Sequence, residues 1–327
     1  MTPDFEQHIF SIHDEASFNT YAIELFRYQA YHCTIFRSYV TSLQRNIDSI
    51  THYSQIPCLP ISFFKSHTIV SSTVPAQTVF ESSKTTGDVS SKHHVVSLDV
   101  YERSFLNMFT RMYGNPQDYV FLALLPSYLE RTNSSLVYMA QALINASQQP
   151  ESGFYLTNYA DVYTAIHSLT HKKIFVIGVT FALLDFAERY TCSHPSIIVM
   201  ETGGMKGRKQ EMVRTQVHSL LQKAFGVSHI HSEYGMTELL SQAYSKGDGE
   251  FTPAPWMKVM VRDMYDPFSY VAPGVLGGLN IIDLANMYSC AFIETQDVGR
   301  ILTNNTFTVE GRFDRSDVRG CNLMVSV

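Results

Sequence analysis

Between residues 95 and 240, short apolar runs alternate with amphipathic stretches, and nothing else in the chain restricts its fold so tightly. "YVFLALLP" and "KKIFVIG" contain almost no polar side chain in their centres, the pattern of strands buried on both faces. Each is followed by a stretch with helical spacing, "SSLVYMAQALINAS" with Ser134 or Ser135 as its cap, and "TFALLDFAERY". "SIIVMETGG" repeats the strand-then-loop pattern. "KQEMVRTQVHSLLQKAFG" then predicts a helix with Val213, Val217, Leu220, Leu221 and Ala224 on one face and Gly226 at its end. Strand and helix in this alternation predict a mostly parallel α/β sheet.

The flanks differ. From Ser17 to about Leu43, apolar and aromatic residues such as Tyr21, Leu25 and Tyr28 recur at helical spacing, and "SQIPCLPIS" follows as a loop. Past residue 250 the helical period fades. "WMKVMVRD", "GGLNIIDLA", "CAFIETQDVGRILTN" and "TFTVEGRF" read as strands between Gly, Pro and Asn turns. The expected organisation is an α/β core over residues 1–250 and a small β-rich lobe over residues 251–327.

Charge and cysteine usage narrow the function classes. A net charge of -6 provides no basic field, so nucleic acid is not an expected partner. The longest apolar run, "IFVIGVTFALLDF", is too short to cross a bilayer and carries Asp185. "MTPDFEQHIF" has two acids and no Lys or Arg ahead of the next apolar stretch, unlike a signal peptide. Five cysteines, at positions 33, 58, 192, 290 and 321, make no Cys-x-x-Cys pair, which argues against a zinc site or a disulfide framework. A cytoplasmic protein with no membrane span is the expectation.

Five stretches have the composition of a binding site. "FESSKTTGDVSSKHHVV" gathers hydroxyl side chains around Gly87, which suits either a phosphate cradle or a solvated Ser/Thr loop. "ETGGMKGRKQE" lies between a strand and a helix, where its glycines permit close backbone approach to a ligand or merely a long turn. In "HIHSEYGMTELL", Tyr234 can stack on a base, Thr237 can meet a phosphate, and Glu238 can hold Mg²⁺. His229 and His231 in the same stretch lack further metal ligands at fitting spacing and read as packing or hydrogen-bonding residues. Asp297 in "ETQDVGRI" can accept from sugar hydroxyls, and Arg312 in "EGRFDRSDVRG" can fork onto a phosphate; each equally suits a turn acid or a surface ion pair.

Their order along residues 80–321 resembles the adenylate-forming superfamily of acyl-CoA synthetases, luciferases and peptide-synthetase adenylation domains. "LLPSYLERTNSSLVYM", "METGGMKGRKQEM" and the terminal "GRFDRSDVRGCNLMV" are closer to one branch, the acyl-protein synthetases of bacterial bioluminescence. The resemblance implies an α/β fold of the acyl-CoA synthetase kind, without the C-terminal lid domain. It implies ATP and Mg²⁺ as cofactors. Ser82, Ser83, Thr85, Thr86 and Gly87 match the phosphate loop, and Gly203 and Gly204 the turn beside the adenine. Tyr234 matches the aromatic packed on that base, Thr237 the residue at the α-phosphate, and Glu238 the Mg²⁺ carboxylate. Asp297 matches the ribose-binding acid, Arg312 the arginine near ribose and phosphate, and Asp314 the hinge. Cys321 stands where the branch carries its acyl acceptor, with Arg319 two residues away to favour a thiolate.

The implied reaction joins a fatty or aromatic carboxylic acid to AMP and then to a protein thiol. An acyl-reductase, carrier-protein or thioesterase partner would take the acyl group onward. Lys84 replaces a family glycine, and it either crowds the phosphates or supplies the charge a lid lysine would bring. Two other readings stay open: an acyl- or aryl-CoA ligase of the phenylacetate type, which leaves Cys321 without a role, and a catalytically silent nucleotide- or partner-binding scaffold, which Lys84 favours.

Overall fold

The structure, a computed structural model, describes residues 3–83, 89–126, 133–156, 158–203 and 212–313. Lys84, Thr85, Thr86, Gly87, Gly204, Asp314, Arg319 and Cys321 lie outside the described residues. The chain opens with three helices, α1 (Pro3–His8), α2 (Glu15–His32) and α3 (Thr34–Ser42). The single helical stretch expected from Ser17 onward is thus two helices. Cys33 departs from helical geometry with ψ 104°, and the turn places both Cys33 and Phe36 in the core. Then come strand β1 (Leu59–Pro60), the short helix α4 (Phe63–Ser66) and the hairpin of β2 (Thr78–Glu81) and β3 (Lys92–Val95).

The alternating region follows as α5 (Leu98–Tyr113), β4 (Tyr119–Leu124), α6 (Ser135–Ser147), β5 (Gly153–Phe154) and α7 (Tyr159–Ser168). It continues through β6 (Lys173–Val179), α8 (Thr180–Ala187), β7 (Ile197–Thr202), α9 (Arg214–Phe225) and β8 (His231–Tyr234). The last part is β9 (Ala243–Ser245), β10 (Thr252–Pro253), β11 (Met257–Arg262), β12 (Gly277–Asp283), β13 (Phe292–Gly299) and β14 (Gly311–Arg312).

Seven strands form one sheet in the order β10-β9-β8-β7-β6-β4-β5, parallel from β5 to β8 and antiparallel beyond. All six residues of β4 are buried, and so are all but Lys173 of β6, because the strands are covered on both faces. On one face Phe109 of α5 packs against Phe121 and Phe175 at ring separations of 5.5 and 5.3 Å. Elsewhere in the helical layers Phe186 of α8 stacks on Phe225 of α9 at 4.9 Å. The buried face of α9 is Val217, His218, Leu221, Ala224 and Phe225. Val213, which caps this helix, and Leu220 are exposed, contrary to the amphipathic reading, since the sheet-facing stripe is narrower than the apolar one.

The second sheet has the order β1-β13-β12-β11, with β14 on β13. Its first strand comes from residues 59–60, so the late strands share their sheet with the N-terminal third of the chain. Helix α2 fastens that joint: the wholly buried Gln29 donates to the carbonyls of Asn286 and Met287 and accepts from the Ala291 amide. Among the described residues, no helix is long and apolar enough to cross a membrane.

Candidate active site

Strands β7 and β8 end side by side, and the turn after β8 carries Gly235, Thr237 and Glu238. Ligands of open α/β sheets gather at such carboxyl ends. A short stretch from the other sheet holds the turn. Asp283, at the end of β12 and fully buried, accepts from the amides of Leu240 (2.8 Å), Ser241 (2.9 Å) and Ala285 (3.1 Å) and from the Ser241 hydroxyl (2.5 Å). Asn286 accepts from the Leu240 amide and donates to the Glu238 carbonyl at 2.7 Å. The backbone of residues 238–241 is therefore held by this one stretch before any ligand arrives.

The β2–β3 hairpin lies against this turn. Beyond its last paired residues, the Ser82 amide donates to the Ser91 carbonyl at 3.0 Å, and the Ser91 amide donates to the Ser82 hydroxyl at 2.9 Å. The Ser91 hydroxyl is near enough to the Glu238 carboxylate to favour its charged form. Glu238 is 6% exposed, and burial pushes its pKa up, against the opposing effects of Ser91 and Arg312. Ser83 is exposed, whereas the Ser90 hydroxyl is buried with no partner among the described residues.

Three further predicted residues meet directly. The Tyr234 hydroxyl donates to one oxygen of Asp297 at 2.7 Å, and Arg312 Nε lies 3.0 Å from the other. Asp297 and Arg312 are register partners on β13 and β14. Asp297 is buried and Arg312 is 69% exposed, so the carboxylate is the fixed member and the guanidinium the reachable one. The Tyr234 ring is itself buried against Phe251 and Phe307, at centroid distances of 5.9 and 5.4 Å. Burial, with Asp297 next, pushes its hydroxyl far above the usual tyrosine range.

Gly203 follows β7 with φ +70°, a conformation that L side chains rarely adopt. The Thr180 hydroxyl lies 2.6 Å from the Gly203 carbonyl and 2.7 Å from Glu201, and its single proton serves one of them at a time. Burial raises the Glu201 pKa, but the nearby His218, 3.6 Å away, and hydrogen bonds from Thr180 and Ser232 outweigh it and the net shift is downward. Glu233, one strand over, behaves oppositely. Burial pushes its carboxyl up to about 7, with Glu201 adding to the rise and the Thr202 hydroxyl opposing it. The carboxyl reaches over Gly235, where a Cβ would overlap its Oε1, so a side chain there would displace the Glu233 carboxyl. His231 bonds the Tyr113 hydroxyl at 3.1 Å, in a hydrogen-bonding role.

Sequence reading missed Glu233, Asp283, Glu201 and His93. The available signal for Glu233 was its position, an acid directly before Tyr-Gly on a strand with buried neighbours. Its titration gives a direct test. The folded pKa of about 7 lies above the unfolded 4.5, so the folded chain holds a proton that the unfolded chain releases. Its contribution is full below pH 4.5 and is lost as pH rises through 7. Glu233→Gln keeps the shape and the neutral form. It should stabilise the protein by about 2 kcal/mol at pH 8, a value discounted for partial solvent access, and by nothing at pH 4.5. Urea unfolding across pH measures this, and parallel profiles for the two chains would contradict it.

No family model and no curated protein matches the sequence. Among solved structures, the chain is similar to 2-hydroxyisobutyryl-CoA ligase in complex with 2-HIB-AMP and CoA, with TM-score 0.68 and 13% identity over 92% of this chain and 68% of that one. It is also similar to ATP-bound MatB from Rhodopseudomonas palustris, with TM-score 0.53 and 15% identity over 72% of this chain and 47% of that one. The chain thus spans about half the length of MatB. At such identities the likeness is one of architecture: this chain has the fold of the adenylate-forming ligases.

Proposed function

We propose that this chain uses ATP to convert a carboxylic acid, a fatty acid in the first instance, into an acyl-adenylate, and then passes the acyl group to the thiol of Cys321. The observation that carries the first step is the convergence of Ser82, Ser91, Glu238, Tyr234, Asp297 and Arg312, from five separated stretches, at the ends of two parallel strands. A substrate carboxylate is already ionised at neutral pH, so adenylation needs charge stabilisation at the phosphates more than a base. A carboxylate oxygen bonds to the α-phosphorus while the bond to the bridging oxygen breaks, and pyrophosphate leaves with that electron pair. Arg312, exposed and held at its root by Asp297, is the cation placed to meet ribose or phosphate oxygens. Ser82 supplies a hydroxyl donor, its amide being taken by the Ser91 carbonyl, and Thr85, Thr86 and Gly87 are given a like role by their resemblance to the phosphate loop.

Glu238 fits a hard cation: it is a buried oxygen donor whose burial outweighs its neighbouring positive charge. Among the described residues, no group of three His, Cys, Asp or Glu could hold a metal. A Mg²⁺ ion at Glu238 would therefore take its other ligands from phosphates and water, and when bound it would neutralise phosphate charge. In the second step the Cys321 thiolate bonds to the acyl carbon, and AMP leaves with the electrons of the broken C–O bond. The support for Cys321 is its context in "RGCNL". A reductase, carrier protein or thioesterase would then take the acyl group.

Labelled acid with ATP and Mg²⁺ should leave a hydroxylamine-sensitive thioester on the protein, and Cys321→Ser should abolish it. Undiminished labelling of that variant would place the acceptor elsewhere. Transfer only to added coenzyme A, with no label on the protein, would make the thiol acceptor external.

A further inference from the structure

We propose that His93 is a positioning residue of this site, whose imidazole ties the Thr237–Glu238 turn to the hairpin that carries Ser82 and Ser91. The proposal rests on the adenylation reading given above. His93 sits on β3 opposite Phe80, 1% exposed, with Phe64 edge-on to its ring at 5.8 Å. Its Nδ1 lies 2.9 Å from the Thr237 carbonyl and its Nε2 lies 2.9 Å from the Ser289 hydroxyl.

A carbonyl only accepts, so Nδ1 carries the proton, and the neutral ring then accepts from Ser289 through Nε2. Burial holds the pKa at about 4, which keeps this tautomer single at neutral pH. The ring thus joins three segments far apart in sequence: the hairpin, the turn after β8, and the β12–β13 connection. Asn286 and Asp283 of that connection already grip Glu238, Leu240 and Ser241, but neither reaches the Thr237 carbonyl. Within this network His93 is the contact that fixes the first residue of the Thr-Glu pair, one strand position away from the residues that lead to Ser91. Any buried imidazole has to satisfy both nitrogens, so it is the identity of the partners, the Thr237 carbonyl above all, that points to a positioning role.

Three variants separate the contacts. The amide nitrogen of Asn occupies the Nδ1 position and can serve Thr237, while that of Gln occupies the Nε2 position and cannot. In acid-dependent ATP–pyrophosphate exchange, His93→Ala should lower kcat by about thirtyfold, with the KM for ATP changed by less than about threefold, as for a misplaced catalytic turn. His93→Asn should recover to within about threefold of the parent chain, and His93→Gln should not. Equal rates for Asn and Gln, or an Ala variant that loses only thermal stability, would overturn the proposal.

Amide hydrogen exchange with Mg-ATP gives a readout that needs no turnover. Residues 90–95 and 237–241 should gain protection together in the parent chain and in His93→Asn, and independently in His93→Ala. Coupled protection in a chain that exchanges no pyrophosphate would uphold His93 and reject adenylation. Full exchange activity with uncoupled protection would do the reverse.

Discussion

Glu238→Gln should reduce carboxylate-dependent ATP–pyrophosphate exchange by about a hundredfold or more, the scale of losing one main electrostatic stabiliser. The substitution keeps the volume of the side chain beside the Ser91 hydroxyl, and the hairpin stays docked through His93 and the Thr237 carbonyl. It removes a buried anion whose burial is not matched by positive charge, and the fold should be as stable as before or slightly more so. The expected signature is lost exchange with an unchanged or raised melting temperature. Exchange within a few-fold of the parent chain would remove Glu238 from the chemistry.

The largest effect on stability is expected at Asp283. Its two oxygens serve four donors, three of them backbone amides, inside a fully buried pocket. Asp283→Ala leaves the Ser241 and Ala285 amides without an acceptor, while the Leu240 amide keeps Asn286, and it opens a void; each unsatisfied buried group costs about 1–3 kcal/mol. We expect a loss of about 4 kcal/mol in urea unfolding, a large share of a typical domain's stability. Asp283→Asn keeps one acceptor oxygen and should lose about half as much. Because the same bonds fix residues 240–241, exchange activity should fall in both variants. A change below about 1 kcal/mol for Asp283→Ala would mean that the turn holds itself.

Much of this could be read from the residue order. The alternation over residues 95–240 predicted the parallel strands because full burial on both faces leaves a plain apolar run, as in β4 and β6. Tyr234, Asp297 and Arg312, chosen for their chemistry, do meet in space. What stayed hidden depends on partners that only folding brings together. Leu59–Pro60 joins a strand more than two hundred residues later, a pairing that no local period encodes. Asp283 sits in an apolar strand, where its sequence context resembles an ordinary strand end, and its role appears only with the amides of Leu240 and Ser241 beside it. His93 and Glu233 are polar residues on short strands, and alternation alone does not say that both faces are covered.

The most direct measurement is carboxylate-dependent exchange of labelled pyrophosphate into ATP by the unmodified protein, with Mg²⁺ and a panel of fatty, aromatic and short-chain acids. The site described here predicts exchange that depends on the acid and vanishes without Mg²⁺. Binding of ATP with no exchange for any acid in the panel would contradict it and leave a nucleotide-binding scaffold in its place.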